Sequence, residues 1–563
     1  MLSVLFSWIV MGAASFLFGK AVVDGIYRKN LQQMGRPDIY VLTGIIFLNI
    51  YAQLFSLFYK VAGIACTILG LLGIILMVAY VVKYLQSGRQ IRIFPGVEHA
   101  KMPLWRAVLL LVCLVSMLLW TTQHPGQYDT GLYHAQAIRW IEEYGVVPGL
   151  GNLHMRLAYN SAFMCLQALF SLEWLVGQSL HSLNGFFCLC ALFYAFGTVR
   201  IPGRERWQTS DLLKCIMVIY VVDKRYSIAS SGTDIWAMLL ILYICTKWCE
   251  LSECREEETA PWCYVCLVGF YALTVKLSAA AIVILVCYPL YLLIRKKEFR
   301  RILYNGILAL GIVLPYLIRN VIISGYLIYP YAGIDLFSVD WKMDPEVLQS
   351  DSFDIRMWGR GYTHLGEYND SLFGWMPEWF LSQSVGNRIL LAAGAVCTLL
   401  VIYGIWKQLQ EKRYDYAAVL TASVVCLVFW LMTAPLIRYG QVYALIVIAL
   451  VLGGWNGQAV TPKKDILAAA GTCIMLVSLL FFGSKVCETG EMAAEGYLLK
   501  QPPYGAWPAT QVQMDNVIIW KPDDDLIGYP AFPSTPSGKQ LDHLQLRGDG
   551  FEDGFRYTEE PWR

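Results

Sequence analysis

The feature that most constrains this chain is a series of long apolar stretches separated by basic or polar connections. A bilayer core takes roughly 20 apolar residues per helix. The candidates are Leu2–Gly19, Ile39–Phe58, Val61–Val82, Trp105–Thr121, Ser179–Val199, Leu212–Val222 and Asp234–Trp248. They continue with Trp262–Val275, Leu277–Ile294, Ile302–Ile318, Ile389–Trp406, Tyr416–Met432, Ile437–Trp455 and Ile466–Gly483. These predict about 14 crossings and an all-α polytopic membrane protein. Only 15% of the 563 residues are Asp, Glu, Lys or Arg and 57% are apolar, against about 25% charged residues in soluble domains. This composition excludes a disordered chain, a nucleic-acid-binding domain and an ordinary soluble enzyme. Leu2–Gly19 has no basic n-region and no small-residue cleavage site, so it reads as a retained helix.

Lys and Arg in short loops set the orientation. Arg28, Lys29 and Arg36 share one loop, and Lys83, Arg89, Arg92, Lys101 and Arg106 the next on that side. Arg200, Arg204 and Arg206, the run Arg295–Arg301, and Lys407, Lys412 and Arg413 fall on the same face. That face is expected to be cytoplasmic, with both termini outside. The chain then divides into helices over 1–121, an outer loop at 122–178, helices at 179–323, a second outer loop at 324–388, helices at 389–483, and an outer tail at 484–563. The Pro- and Gly-rich part of the tail, Pro522–Gly554, reads as short strands and turns lying over an outer cavity. Most cysteines sit in apolar helices, and Cys245/Cys249 and Cys263/Cys266 have metal-like spacing with no His beside them. Packing accounts for them, since free Cys behaves as a small hydrophobe.

The first outer loop carries the densest signal. Leu132, Ala135, Ile138, Ile141 and Tyr144 recur at helical spacing, with His134, Arg139, Glu142 and Glu143 opposite. Such a helix is expected to lie on the membrane surface, stripe downward, with Arg139 pairing to Glu143. Ala162–Val176 reads as a second surface helix. Asp129 stands at the junction of a span and this helix, where a carboxylate serves as an N-cap or as a base. Asp234 reads as a cap, or as a second carboxylate facing Asp129 that lines the pocket, orienting the acceptor or sharing a cation. Lys276 interrupts an otherwise nearly uncharged stretch; at mid-bilayer it would cost about 2.5–3.5 kcal/mol, so a turn at the outer surface is expected. Arg319 and Arg438 fall at outer helix ends, where a guanidinium anchors to the interface or grips phosphate. Tyr128, Tyr133, His134, His154, Arg156 and Tyr439 are candidates to line a pocket. Trp375, Trp379 and Phe380 in the second loop are expected to seat it on the membrane interface.

The string Tyr128-Asp129-Thr130-Gly131-Leu132-Tyr133, with Gly145 and Pro148 following, resembles the GT-C class of integral membrane glycosyltransferases. Ser231-Gly232-Thr233-Asp234, Leu273-Thr274-Val275-Lys276, Pro315 with Arg319-Asn320, Tyr329-Pro330, and Pro435 with Arg438-Tyr439 extend the likeness in order to Gly454. The tail resembles an uncharacterised subgroup of bacterial membrane proteins. The resemblance implies a polyprenyl-phosphate-linked sugar as donor and a glycan, lipid or protein acceptor. It implies Asp129 as the base and Lys276, Arg319 and Arg438 as ligands of the donor phosphate, in a bacterial cytoplasmic membrane. The class often carries a second acidic residue beside the first, whereas Thr130 and Gly131 stand there in this chain. No metal, cofactor or nucleic-acid partner is expected. The same features accommodate a polysaccharide polymerase or ligase. A transporter or flippase of lipid-linked glycans would instead show inverted repeats.

Overall fold

The computed structural model describes residues 1–87, 93–96, 102–200, 207–364, 371–454, 494–535 and 543–557, with positions 366, 368, 369, 472, 473, 475–481, 483 and 541 besides. The expected span at 466–483 lies partly outside the described residues, and Arg89, Arg92, Lys101, Arg204, Arg206 and Cys487 lie outside them. Among the described residues, nine helices are long and apolar enough to cross a membrane: Leu2–Ile26, Pro37–Ser56, Gly63–Gln86, Leu104–Thr121, Asp234–Glu253, Leu277–Arg295, Phe299–Ser324, Val385–Gln410 and Tyr414–Thr433. The chain is thus a multi-pass helical membrane protein. The expected spans Ser179–Val199, Leu212–Val222, Trp262–Val275 and Ile437–Trp455 correspond to helices Leu183–Thr198, Thr209–Asp223, Thr259–Val275 and Ile437–Leu452, which are only 15–17 residues long. At 1.5 Å per residue they reach about 23–26 Å, short of a hydrocarbon core of about 30 Å.

Small residues bring the first two helices together. A Cβ on Gly19 would lie 1.7 Å from the Tyr40 carbonyl oxygen, and one on Gly44 1.7 Å from that of Ser15. Lipid offers no hydrophobic drive between helices, so close backbone approach of this kind carries the packing. Burial then sorts the spans. Asp234–Glu253 is 94% buried and forms the axis of the bundle, whereas Gly63–Gln86 is 11% buried and turns its Ile, Leu and Val side chains outward. Residues Leu277–Val286 wind as a 3-10 helix, with Ala279, Ile282 and Leu285 buried. Their spacing of three is the period of that helix. All described cysteines are free, and Cys245, Cys249, Cys263 and Cys266 are buried.

Charged side chains collect at the two ends of the bundle. At one end Asp38 accepts from Lys247 Nζ and the Tyr243 hydroxyl, both at 3.0 Å. Lys214 pairs with Glu250 at 2.9 Å and Arg200 with Asp211 at 2.7 Å. Asp211 also closes a capping box with the Gln208 backbone N–H, which fixes where helix Thr209–Asp223 begins. At the other end lie Asp129, Asp234, Lys276 and Arg438.

Three expectations about the outer segments need correction. Helix Ala135–Glu143 is not half-exposed: besides Ala135, Ile138 and Ile141, it buries Gln136, Trp140 and Glu142, and His134 ahead of it is 3% exposed. The tail covers its polar face. Gln136 Nε2 donates to the carbonyls of Gly528 (2.9 Å) and Ala531 (2.7 Å), and Arg139 to that of Tyr529 (2.8 Å). Arg139 also keeps the expected partner Glu143, at 3.9 Å. Residues Ala162–Val176 form a fully buried helix, Ala162–Phe170, broken from a short turn at Leu172, where φ is +51°. Trp375 and Trp379 are buried in the helical core, with Trp379 against Trp430, and not seated on lipid. The tail itself forms two antiparallel hairpins. Strands β1 (Ala509–Met514) and β2 (Val517–Pro522) pair Ala509 with Pro522, and β3 (Leu544–Leu546) and β4 (Phe555–Tyr557) pair Leu544 with Tyr557.

Candidate functional site

The site forms where four separate segments end at one level. Residues Thr130–His134 make a π-turn that leads into Ala135–Glu143, a backbone irregularity frequent at functional sites. Asp129 opens this turn without a side-chain capping bond. Its carboxylate accepts instead from Arg438 Nη2 at 2.7 Å. Arg438 is the second residue of Ile437–Leu452. A cation there opposes the positive helix terminus, so carboxylates are what stabilise it. The second of these is Asp234, 3.7 Å from Arg438 Nε, in the first turn of the axial helix. Asp234 follows the N-cap Thr233 as the first residue of its helix and also pairs with Lys276 Nζ. The cap readings of both carboxylates give way to ion pairing.

Lys276 is the only non-helical residue between Thr259–Val275 and the 3-10 helix, and its extended backbone reverses the chain. Its ammonium lies 3.7 Å from the centroid of the Tyr439 ring, a cation–π contact. The Tyr439 hydroxyl accepts from Arg438 at 2.9 Å. Two carboxylates and two cations thus alternate in one chain of contacts: Asp129, Arg438, Asp234, Lys276. They are partly buried, with side-chain exposures of 14%, 38%, 11% and 19% in that order. Arg438 is the most accessible member. Burial works to raise the Asp129 carboxyl, yet His134, Arg438 and Lys276 outweigh it and hold it below the usual carboxylate range. His134 is itself pushed down to about 4 by burial. At neutral pH it carries no charge, and the two permanent cations keep Asp129 ionised.

The remaining candidates divide into four groups. The Tyr133 and His134 rings meet at a tilt, with centroids 4.2 Å apart. Burial raises the Tyr133 hydroxyl far above its ordinary value, and the charges of Asp129 and Asp234 add to the rise. The His134 Nδ1 is buried with no protein partner. Tyr128 is exposed, and its hydroxyl donates to Asp525 of the tail at 3.4 Å. Arg156 stacks 5.0 Å above Trp358 of the second outer loop, while His154 is buried, pushed down to about 3. Arg319 stands apart. It is 2% exposed and donates to Asn160 Oδ1 and Ser56 Oγ, so it is not joined to the Asp129 chain of contacts.

The sequence reading laid the tail over an outer cavity but named none of its contacts in this region. The backbone N–H groups of Ile527 and Gly528 donate to the Gly131 carbonyl, at 3.0 and 2.8 Å. Trp507 fills a cradle of three glycines: a Cβ on Gly131, Gly505 or Gly528 would stand 2.7, 2.4 or 2.8 Å from its ring. Tyr504 meets Ser231 at 2.7 Å, and the Tyr529 hydroxyl donates to Glu142 at 2.7 Å. Glu142 also accepts from Ser179 at 2.8 Å, and burial raises its carboxyl to about 7. Nothing local signals the tail's contacts, because the tail and its partners lie more than 270 residues apart in sequence. The extra small residue at Gly131, two positions after Asp129, is the one trace they leave.

Among the described residues, no three His, Cys, Asp or Glu side chains are grouped so as to hold a metal ion. No curated protein and no solved structure matches the chain. A family model described as a domain of unknown function (DUF8201) matches residues 1–445, a segment that holds Asp129, Asp234, Lys276, Arg438 and Tyr439 and stops short of the tail. The chain therefore belongs to the DUF8201 family.

Proposed function

We propose that this protein is a GT-C-type membrane glycosyltransferase that moves a sugar from a polyprenyl-phosphate donor to a hydroxyl of a glycan, lipid or protein on the extracytoplasmic face. The observation that carries the reading is the contact of Asp129 with Arg438, itself joined through Asp234 to Lys276. Transfer needs a base for the acceptor hydroxyl and cations for the charge that develops on the departing phosphate. In this reading the donor phosphate draws Arg438 and Lys276 toward itself, and Arg438 releases Asp129. The acceptor oxygen attacks the anomeric carbon as the carbon–oxygen bond to phosphate breaks. The phosphate keeps the electron pair and Asp129 takes the proton. Arg319 has no part in donor binding here.

The same reading takes the shorter helices and the segment 466–483 as further crossings, making about 14 in a bacterial cytoplasmic membrane. The end holding Asp129 and the tail then faces outward, in keeping with Lys and Arg gathered at the loops of the other end. The test is Asp129→Asn in the native host. The inserted variant should lose surface glycan and accumulate the lipid-linked donor. Unchanged glycan would overturn the reading, and cargo held in the inner leaflet would favour a flippase.

A further inference from the structure

Arg319 is buried to 2% exposure near the outer end of helix Phe299–Ser324, and its bonded partners are neutral: Asn160 Oδ1 at 3.0 Å and Ser56 Oγ. Among the described residues no carboxylate lies within ion-pair distance of it. The group acting on it electrostatically is the Cys165 thiol, which burial keeps protonated. A guanidinium does not shed its proton to escape burial. Removing it from water costs several kcal/mol unless a counter-charge meets it. Two other buried cations of the bundle have such partners: Lys247 has Asp38 and Glu250, and Lys214 has Asp211 and Glu250.

Arg319 also lines a cavity of about 20 Å³, together with Tyr159, Asn160, Ser161, Met164 and Ile141. That exceeds the roughly 10–15 Å³ needed for one water, and suits a single monatomic ion better than a bulky oxyanion. Tyr159 directs its hydroxyl away, to Asp351 at 2.6 Å, and Ser161 directs its own to the Val275 carbonyl at 2.7 Å. The positive charge in the cavity wall is therefore that of Arg319.

We propose that the Arg319 cavity is a binding site for one small monovalent anion of the chloride class. The ion neutralises Arg319 and so ties together helix Pro37–Ser56, the Asn160 segment and helix Phe299–Ser324. The site is independent of sugar transfer, and its stability signature does not rely on activity.

The test uses the full-length protein in detergent, with chloride exchanged for gluconate, and bromide as the crystallographic probe. The wild type should show a saturable rise in Tm of a few degrees with chloride, and an anomalous bromide peak beside Arg319. Arg319→Gln should lose the response. Should that variant fail to fold, Cys165→Asp decides, because it places a carboxylate beside Arg319. It should fold in gluconate and ignore chloride. Should neither variant fold, the bromide map of the wild type decides. A wild type indifferent to chloride, variants that keep its response, or a map with water alone at Arg319 would overturn the proposal.

Discussion

Asp129 and Asp234 each had two local uses, as a helix cap or as an ion-pair partner, and both are spent on pairing with Arg438. This choice ties stability to the same atoms that face the proposed donor. Asp234→Asn would leave the mostly buried Lys276 ammonium against Tyr439 with no carboxylate. Losing one partner of a buried pair costs about 3 kcal/mol, so denaturation in detergent should show a loss of that order. The double variant Asp234→Asn/Lys276→Gln should recover part of it. Glu142 gives a pH test with a defined sign. Its carboxyl is raised from 4.5 to about 7 by burial, so the fold binds this proton more tightly than the unfolded chain does. Its contribution is full below about 4.5 and is lost as pH rises through about 7. His134 and His181, both lowered to about 4 by burial, act oppositely: their contribution is lost as pH falls from 6.5. The difference in Tm between wild type and Glu142→Gln across pH 5–8 isolates the Glu142 part, and should decline with rising pH. At this scale the sequence was informative about charges that interrupt or bound apolar runs, which is how Lys276, and Asp129 and Arg438 at the ends of their runs, stood out. Arg319 gave the same signal, yet its partners are Ser56 and Asn160. A charge at a helix end tells where it is expensive, and not what relieves it.

The elements around the site depend on glycines where backbone and ring meet. Gly131→Ala would put a methyl group 2.7 Å from the Trp507 ring, which Gly505 and Gly528 already enclose. The tail should loosen from helix Ala135–Glu143 and be cut faster in limited proteolysis. Trp507→Ala in the same chain should remove the effect of the added methyl. Equal cleavage rates in wild type and Gly131→Ala would show that the cradle does not hold the tail. The periodicity of Ala135–Glu143 was legible, but its placement was not. An amphipathic stripe predicts one buried face, and the second face is covered by carbonyls of Gly528, Tyr529 and Ala531. Helix Ala162–Phe170 misled for a related reason. Its apolar side chains are satisfied by protein on every side, and hydropathy does not separate a buried helix from one resting on lipid. The 3-10 run after Lys276 has no composition signal, since its Ala, Ile, Val and Leu suit an α-helix equally.

Across the whole molecule, charge is divided between two ends. Asp38, Lys247, Lys214, Glu250, Asp211 and Arg200 interlock at one, and Asp129, Arg438, Asp234 and Lys276 at the other. Alternation of basic loops along the sequence anticipated this division, because each crossing moves the chain to the opposite end. The number of crossings was less legible, as helices of 15–17 residues inside the bundle satisfy the same hydropathy pattern as full spans. Orientation in the cell is open to direct measurement. In intact cells, a cysteine at Asp525→Cys should react with a membrane-impermeant thiol reagent above the native background, whereas Glu411→Cys should react only after lysis. The reverse pattern would place the Asp129 end inside. The most direct test of the site is made with purified protein in vesicles, measuring binding and turnover of a polyprenyl-phosphate sugar in parallel. Asp129→Asn should bind the donor and lose at least about 100-fold in turnover, while Arg438→Gln should lose donor binding. Wild-type turnover in Asp129→Asn would contradict the account.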